Sequence, residues 1–251
     1  MSDRFQITLA QINPTVGDLQ GNARLAKEAW GQAKAAGSDL VAFPEMFITG
    51  YNAQDLVMKP AFQRAAIAEI EGLAQACKEG PALAIGGPWV EAGALFNAYF
   101  ILNDGRIVSV VEKHHLPNQS VFDEVRIFSS GEIAGPYSVG NTRIGSPICE
   151  DAWHPDVAET LQETGAEFLL VPNGSPYHRQ KSEERQNVMV ARVIETGLPL
   201  IYLNMVGGQD DQVFDGGSFV LNPGGALAVQ MPMFESALAH VVLIKQGSGW
   251  S

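Results

Sequence analysis

At 251 residues, 46% hydrophobic and 18% charged, the chain has the composition of one large globular domain with a sizeable core. Its net charge of −12 argues against nucleic acid or an anionic membrane as partner, because both need clustered Lys and Arg. Two cysteines far apart exclude a disulfide framework and a Cys-x-x-Cys metal site, and no run reads as a signal segment or a membrane span, so the expected location is the reducing cytoplasm.

Met1 to Arg4 lead into a half-buried strand in which Phe5, Ile7 and Leu9 alternate with polar neighbours. Asp18 or Asn22 can cap a helix whose apolar stripe is Ala26, Ala29, Trp30, Ala33 and Ala36, and Gly37 ends it. Residues 39–43 read as a short buried strand that delivers Pro44-Glu45-Met46 at its C-terminal end, before Thr49-Gly50-Tyr51. A second helix is expected from about Pro60 to Cys77; its stripe Phe62, Ala66, Ile70, Leu73 and Cys77 places that cysteine in the core. A strand over 82–90 precedes a hairpin of 96–102 and 106–111 with an Asn103-Asp104-Gly105 tip, which hands the chain to Glu112-Lys113.

After a polar loop over 114–136, residues 142–148 read as a strand ending at Cys149, and Pro155 opens a helix over 155–164. A helix over 182–196 and strands over 168–172, 199–204, 216–221, 226–230 and 238–244 complete the pattern. Strands alternating with helices predict an α/β protein whose helices cover the sheet faces. Residues 1–246 form the expected domain, and Gly247 to Ser251 read as the start of a linker.

Cys149 stands at a strand-to-helix bend, where a side chain is exposed for attack as in a nucleophile elbow. A lone cysteine is ordinarily a small buried hydrophobe, but Glu150, Asp151 and His154 surround this one with polar groups. Glu45 and Lys113 also follow strands, and ligands collect at the carboxyl ends of strands in open α/β sheets. Singly, each reads as a solvated surface charge. Together they make a chemical set: a thiol with an ordinary pKa of about 8.5 needs a base or a positive charge to attack an amide at neutral pH. Glu45 can be the base and Lys113 the charge that holds the oxyanion beside the backbone N–H after Cys149. Glu45 would then protonate departing ammonia and activate water against the thioester.

Zinc ligation by His114, His115, His154 or His178 with Cys149 matches no common spacing, so no metal is expected. His240 sits in an apolar strand pattern and reads as core rather than as the partner of a Cys-His-Glu triad.

Cys149 in Ile148-Cys149-Glu150-Asp151-Ala152-Trp153, Glu45 in Phe43-Pro44-Glu45, and Lys113 ahead of Leu116-Pro117-Asn118 resemble the Glu-Lys-Cys triad of the nitrilase superfamily. Within it, Gln11 to Asp18, Thr49-Gly50-Tyr51, Val121-Phe122-Asp123-Glu124, Asn173-Gly174-Ser175-Pro176-Tyr177, Val206 to Asp210 and Val213 to Phe219 resemble the glutaminase domains of glutamine-dependent NAD+ synthetases. The resemblance implies a four-layer αββα sandwich that pairs across subunits in a homo-oligomer, and hydrolysis of L-glutamine to glutamate and ammonia. It also implies that Ser175 and Tyr177, with Lys181 and Arg185, serve the substrate, and that Glu124 orients Lys113. A plain turn, a charged helix face and a solvated loop acid are the structural alternatives for these residues.

The family's Ser-Gly-Gly-x-Asp-Ser pyrophosphate loop has no counterpart in this sequence. No cofactor is therefore expected in the chain; ATP and deamido-NAD would belong to an NAD+ synthetase domain in cis or in trans. Gln119 and Ile127 stand where the family often has aromatics, which puts the aromatic lining of the site in question, and Gly174 stands where alanine is common. The competing expectations are a stand-alone amidase for another small amide and a catalytically silent partner-binding subunit.

Overall fold

The computed structural model describes residues 4–119, 121–247 and 249–251. Met1 to Asp3, Ser120 and Ser248 lie outside the described residues, and with them parts of the expected N-terminal approach, polar loop and linker. The elements in chain order are β1 (Arg4–Gln11), α1 (Leu19–Ala35), β2 (Leu40–Ala42), α2 (Pro60–Ala76), β3 (Ala82–Glu91), β4 (Ala94–Asn103), β5 (Arg106–Glu112), α3 (Glu124–Ile127), β6 (Tyr137–Val139), β7 (Thr142–Gly145), α4 (Pro155–Glu163), β8 (Phe168–Asn173), α5 (Lys181–Thr196), β9 (Leu200–Asn204), β10 (Val206–Gln209), β11 (Gln212–Asp215), β12 (Phe219–Leu221), β13 (Leu227–Gln230), β14 (Ala237–Gln246) and β15 (Gly249–Trp250).

Local chemistry sets the boundaries. Of the two candidate caps, Asp18 is the one used: its Oδ1 accepts from Gly21 N at 2.9 Å, while Asn22 is buried and ties the helix to Thr15 and Ile48. Gly37, at φ 73°, takes the left-handed position after the helix. The strand expected over 142–148 stops at Gly145, since Pro147 has no N–H for the ladder. The strand expected over 216–221 begins only at Phe219, because Gly216 and Gly217 hold positive φ of 65° and 61°. The hairpin of β10 and β11 just before it has no alternating apolar pattern and was not expected from the sequence.

Two sheets face each other. One runs β15-β14-β1-β2-β3-β4-β5 and the other β13-β12-β9-β8-β7-β6. Alternation along each strand sends side chains to opposite faces. Leu40 and Ala42 join Ile7, Leu9, Phe168, Leu170, Ile201 and Leu203 in the core between the sheets. Val41 and Phe43 face the other way, into a layer with Ala26, Trp30, Ile70 and Leu73 of α1 and α2. Leu169 and Val171 likewise pack against Val157, Leu161, Met189 and Val193 of α4 and α5. The architecture is the expected αββα sandwich, and Cys77 lies in the outer core under α2 as its stripe implies.

β2 and β3 are parallel and the antiparallel hairpin restores that direction in β5, so β2 and β5 end on the same side of the first sheet. At the tail, β15 pairs with β14. Trp250 is buried, meets Phe5 edge-on at 6.5 Å between ring centroids, and donates from Nε1 to Glu167 at 3.2 Å. No described helix is long and apolar enough to cross a membrane.

Trp250→Ala is expected to cost about 3–5 kcal/mol, as loss of a buried aromatic does. Guanidinium unfolding monitored by circular dichroism would read the change, and a midpoint equal to that of the parent would contradict this packing.

Candidate active site

Glu45, Lys113 and Cys149 leave three different strands and meet in one buried cluster. Glu45 follows β2 after Phe43 and Pro44, and its backbone turns back across β3 at Gly86, where a Cβ would come within 2.1 Å of Met46 N. Lys113 follows β5 directly. Cys149 follows β7 after Ser146-Pro147-Ile148 and begins a single 3-10 turn, Cys149–Trp153. Both Met46 and Cys149 hold φ of 48°, a left-handed conformation that L residues adopt at a cost of order 1–3 kcal/mol and that recurs at active sites.

The Lys113 ammonium is fully buried between two carboxylates. Its Nζ donates to Glu45 Oε1 at 2.7 Å and to Glu124 Oε2 at 2.8 Å. Burial by itself would make the ammonium easier to deprotonate, but Glu124 and Glu45 outweigh it and hold Lys113 well above the ordinary lysine range. Glu124 in turn accepts from Tyr51 Oη at 2.8 Å, and burial raises its carboxyl despite the neighbouring Lys113.

Asn97 Nδ2 donates to Glu45 Oε1 at 2.8 Å and to Glu124 Oε1 at 3.2 Å. With acceptors on both sides, the amide orientation is dictated by its neighbours. The other Glu45 oxygen, Oε2, accepts from Gly174 N at 2.8 Å. Gly174 approaches the Tyr51 ring so closely that a Cβ would lie 2.6 Å from Cδ1.

The Cys149 thiol is pushed well above its usual range, first by burial and then by Glu45, and Lys113 only partly offsets this. At neutral pH Cys149 is therefore a neutral thiol, acted on by the Glu45 carboxylate. Cys77, far from that base, is raised to about 11 by burial alone, with Lys27 opposing.

Cys149 opens onto a cavity of about 260 Å³. Ser175, Tyr177 and Lys181 line it, together with Glu150, Phe122 and Trp153. Phe122, Trp153 and Tyr177 thus supply aromatic surface although Gln119 replaces one family aromatic; Ile127 is buried beside Tyr51, away from the cavity lining. Lys181 Nζ sits 4.0 Å from the centroid of the Trp153 ring.

Arg185 does not line the cavity. It is buried, grips Asp215 through two bonds of 2.8 Å, and donates to Ser175 O at 2.7 Å and Pro176 O at 3.0 Å, so it holds the turn that carries Gly174 and Ser175. His240, expected in the core, is instead exposed: the alternation of β14 points Val241 and Leu243 inward and His240 outward, with Nδ1 2.8 Å from Thr8 Oγ1.

Asp151 was expected beside the thiol, but its carboxylate turns to backbone. It accepts from Ile148 N at 2.9 Å, His114 N at 3.1 Å and His115 N at 2.7 Å, clamping the Cys149 turn to the segment that follows Lys113. Burial pushes Asp151 up to about 6 against these bonds. Asn97, the Gly174 N–H and this role of Asp151 escape sequence reasoning; the one signal is a polar Asn97 within the otherwise apolar run Phe96 to Leu102.

The model of the carbon-nitrogen hydrolase family matches residues 6–245. The glutamine-dependent NAD(+) synthetase of Rhodobacter capsulatus is 58% identical over 250 residues, which are 100% of this chain and 45% of that protein. The chain thus spans less than half the length of this curated relative. The structure of glutamine-dependent NAD+ synthetase from Acinetobacter baumannii with adenosine diphosphate superposes with a TM-score of 0.93 at 32% identity, covering 98% of this chain and 47% of that one. A mutant amidase from Nesterenkonia sp. AN1, bearing the acetamide moiety of fluoroacetamide on its active-site cysteine, gives a TM-score of 0.85 at 26% identity and covers 96% of this chain and 90% of that one.

Glu124→Gln removes one partner of a buried ion pair and is expected to destabilise the protein by about 3–5 kcal/mol, read by guanidinium denaturation. Methyl methanethiosulfonate should modify Cys149 slowly at pH 7 and faster as the pH rises beyond the ordinary thiol range. Rapid labelling independent of pH, followed by peptide mass spectrometry, would instead indicate a resting thiolate.

Proposed function

We propose that this chain, which belongs to the carbon–nitrogen hydrolase family, hydrolyses the side-chain amide of L-glutamine to glutamate and ammonia through a Cys149 thioester. The observation that carries the proposal is the buried ion pair of Glu45 and Lys113, 2.7 Å apart, beside a neutral thiol that opens onto an amino-acid-sized cavity.

In this reading Cys149 Sγ attacks the amide carbonyl carbon while its proton passes to Glu45. The oxyanion is received by the Lys113 ammonium and by the backbone N–H of Glu150, in the first turn after Cys149, where helical N–H groups have no partner within the turn. One such donor contributes about 3 kcal/mol to the transition state. Glu45 returns the proton to nitrogen as the C–N bond breaks, which releases ammonia and leaves the thioester. It then takes a proton from water as the water oxygen adds to the thioester carbon, and glutamate departs as Sγ recovers its proton. Lys113 serves as a fixed cation, because two carboxylates hold its proton. Glu45 keeps its geometry through both half-reactions because Asn97 and Gly174 bind it independently of Lys113.

Glutamine is favoured over an uncharged amide because Lys181 and Glu150 bring charges of both signs to the cavity, as a zwitterionic substrate requires. The ammonia is proposed to serve an NAD+ synthetase unit, in cis or in trans, that amidates deamido-NAD with ATP. The relatives' names support this, and the chain corresponds to less than half of such a protein. The fold shared with an amidase supports a second reading, hydrolysis of short aliphatic amides.

Ammonia release from glutamine, asparagine and acetamide by the purified chain tests both readings. Release from glutamine is expected to vanish in Cys149→Ala, and Glu45→Gln is expected to lower kcat by roughly 10²–10⁴-fold. Turnover of acetamide with none of glutamine would establish the second reading, and unchanged turnover in Cys149→Ala would refute both.

A further inference from the structure

Two histidines follow Lys113 directly, and the fold brings both to the start of α4. One ring nitrogen from each of His114 and His115 and one carboxylate oxygen of Asp156 lie within 4.8 Å of one another. His115 Nε2 is 2.9 and 3.0 Å from the two Asp156 oxygens. His114 Nδ1 is 2.7 Å from Gly131 O, a carbonyl that can only accept. In the neutral ring this contact puts the proton on Nδ1 and the lone pair on Nε2, the arrangement by which metal-binding histidines are oriented.

The backbone on which these rings sit is already held. Asp151 Oδ1 accepts from both His114 N and His115 N, and the His154 ring lies 4.1 Å from that of His115, tilted by 31°. Asp156 Oδ1 also accepts from Val157 N at 2.9 Å. Ligands on tetrahedral zinc, with bonds of roughly 2.1 Å, lie about 3.4 Å apart, so the His115–Asp156 pair, at 2.9 Å, needs to open by about 0.5 Å and the widest separation, within 4.8 Å, to close by at most about 1.4 Å. Asp156, 48% exposed, has room to make that adjustment.

We propose that His114, His115 and Asp156 form a binding site for a divalent transition ion. Two imidazoles and a carboxylate suit Zn2+, Co2+, Ni2+ or Cu2+ rather than Mg2+ or Ca2+, which take oxygen ligands. Three protein ligands leave a position for water. The ion replaces the hydrogen bond between His115 and Asp156. It thereby ties the segment after Lys113 to the start of α4. Sequence spacing gives no such site, because adjacent histidines and an aspartate 41 residues away meet only in the fold.

Co2+ is the probe, and its absorption spectrum is read with chelator-treated protein, both wild type and Cys149→Ala. One equivalent is expected to bind to each, with visible d–d bands and no near-ultraviolet thiolate charge-transfer band. Binding is expected to weaken at least tenfold in His115→Ala and in Asp156→Asn. The second substitution changes an exposed side chain, so circular dichroism can verify that this variant remains folded. No uptake at micromolar Co2+, uptake lost in Cys149→Ala, or uptake unchanged in both ligand variants would overturn the proposal. None of these outcomes depends on which amide the protein hydrolyses.

Discussion

The structure of the site depends on the burial of one ammonium between two carboxylates. An isolated lysine in a water-excluded interior would shed its proton; Lys113 keeps it because Glu45 and Glu124 each accept a hydrogen bond from it at 2.7 and 2.8 Å. A pair of carboxylates without the ammonium would repel each other and take up protons in the same way. Each of the three charges is therefore tolerable only because of the other two. Asn97 and Tyr51, which donate to the same carboxylates, satisfy the lone pairs that the ammonium leaves.

That arrangement also divides the chemical labour. A lysine whose proton is held by two anions is suited to stabilising negative charge and poorly suited to accepting a proton. Glu45 spreads its two oxygens over three donors, yet it sits close enough to raise the thiol electrostatically.

Two further ionic arrangements hold the walls. Asp151 joins the Cys149 turn to the segment after Lys113 through backbone N–H groups, and Arg185 with Asp215 secures the turn that presents Gly174 to Glu45. Both are buried and neither carboxylate faces the cavity. Their charge is used to fix main chain, where a loop would otherwise leave its polar groups unpaired.

The sequence by itself marked an α/β pattern and three candidate residues at strand ends, while the αββα layering was implied by the family resemblance. The runs Leu40 to Phe43 and Phe168 to Val171 are apolar throughout, as strands buried on both faces are, and the motifs around Glu45, Lys113 and Cys149 are local in the chain. Asp18 and Gly37 were legible for the same reason, since capping is decided within one turn. The β10–β11 hairpin was not, because its residues show no alternation, and neither was the exposure of His240, since strand composition does not say which face a neighbour covers. Only the tertiary structure decided that Asn97 bridges two acids, that Asp151 binds backbone N–H groups, that Arg185, itself outside the cavity lining, holds the turn that carries Ser175, and that His114 and His115 meet Asp156. Each of these depends on distances between segments far apart in the chain, and no local pattern records such distances.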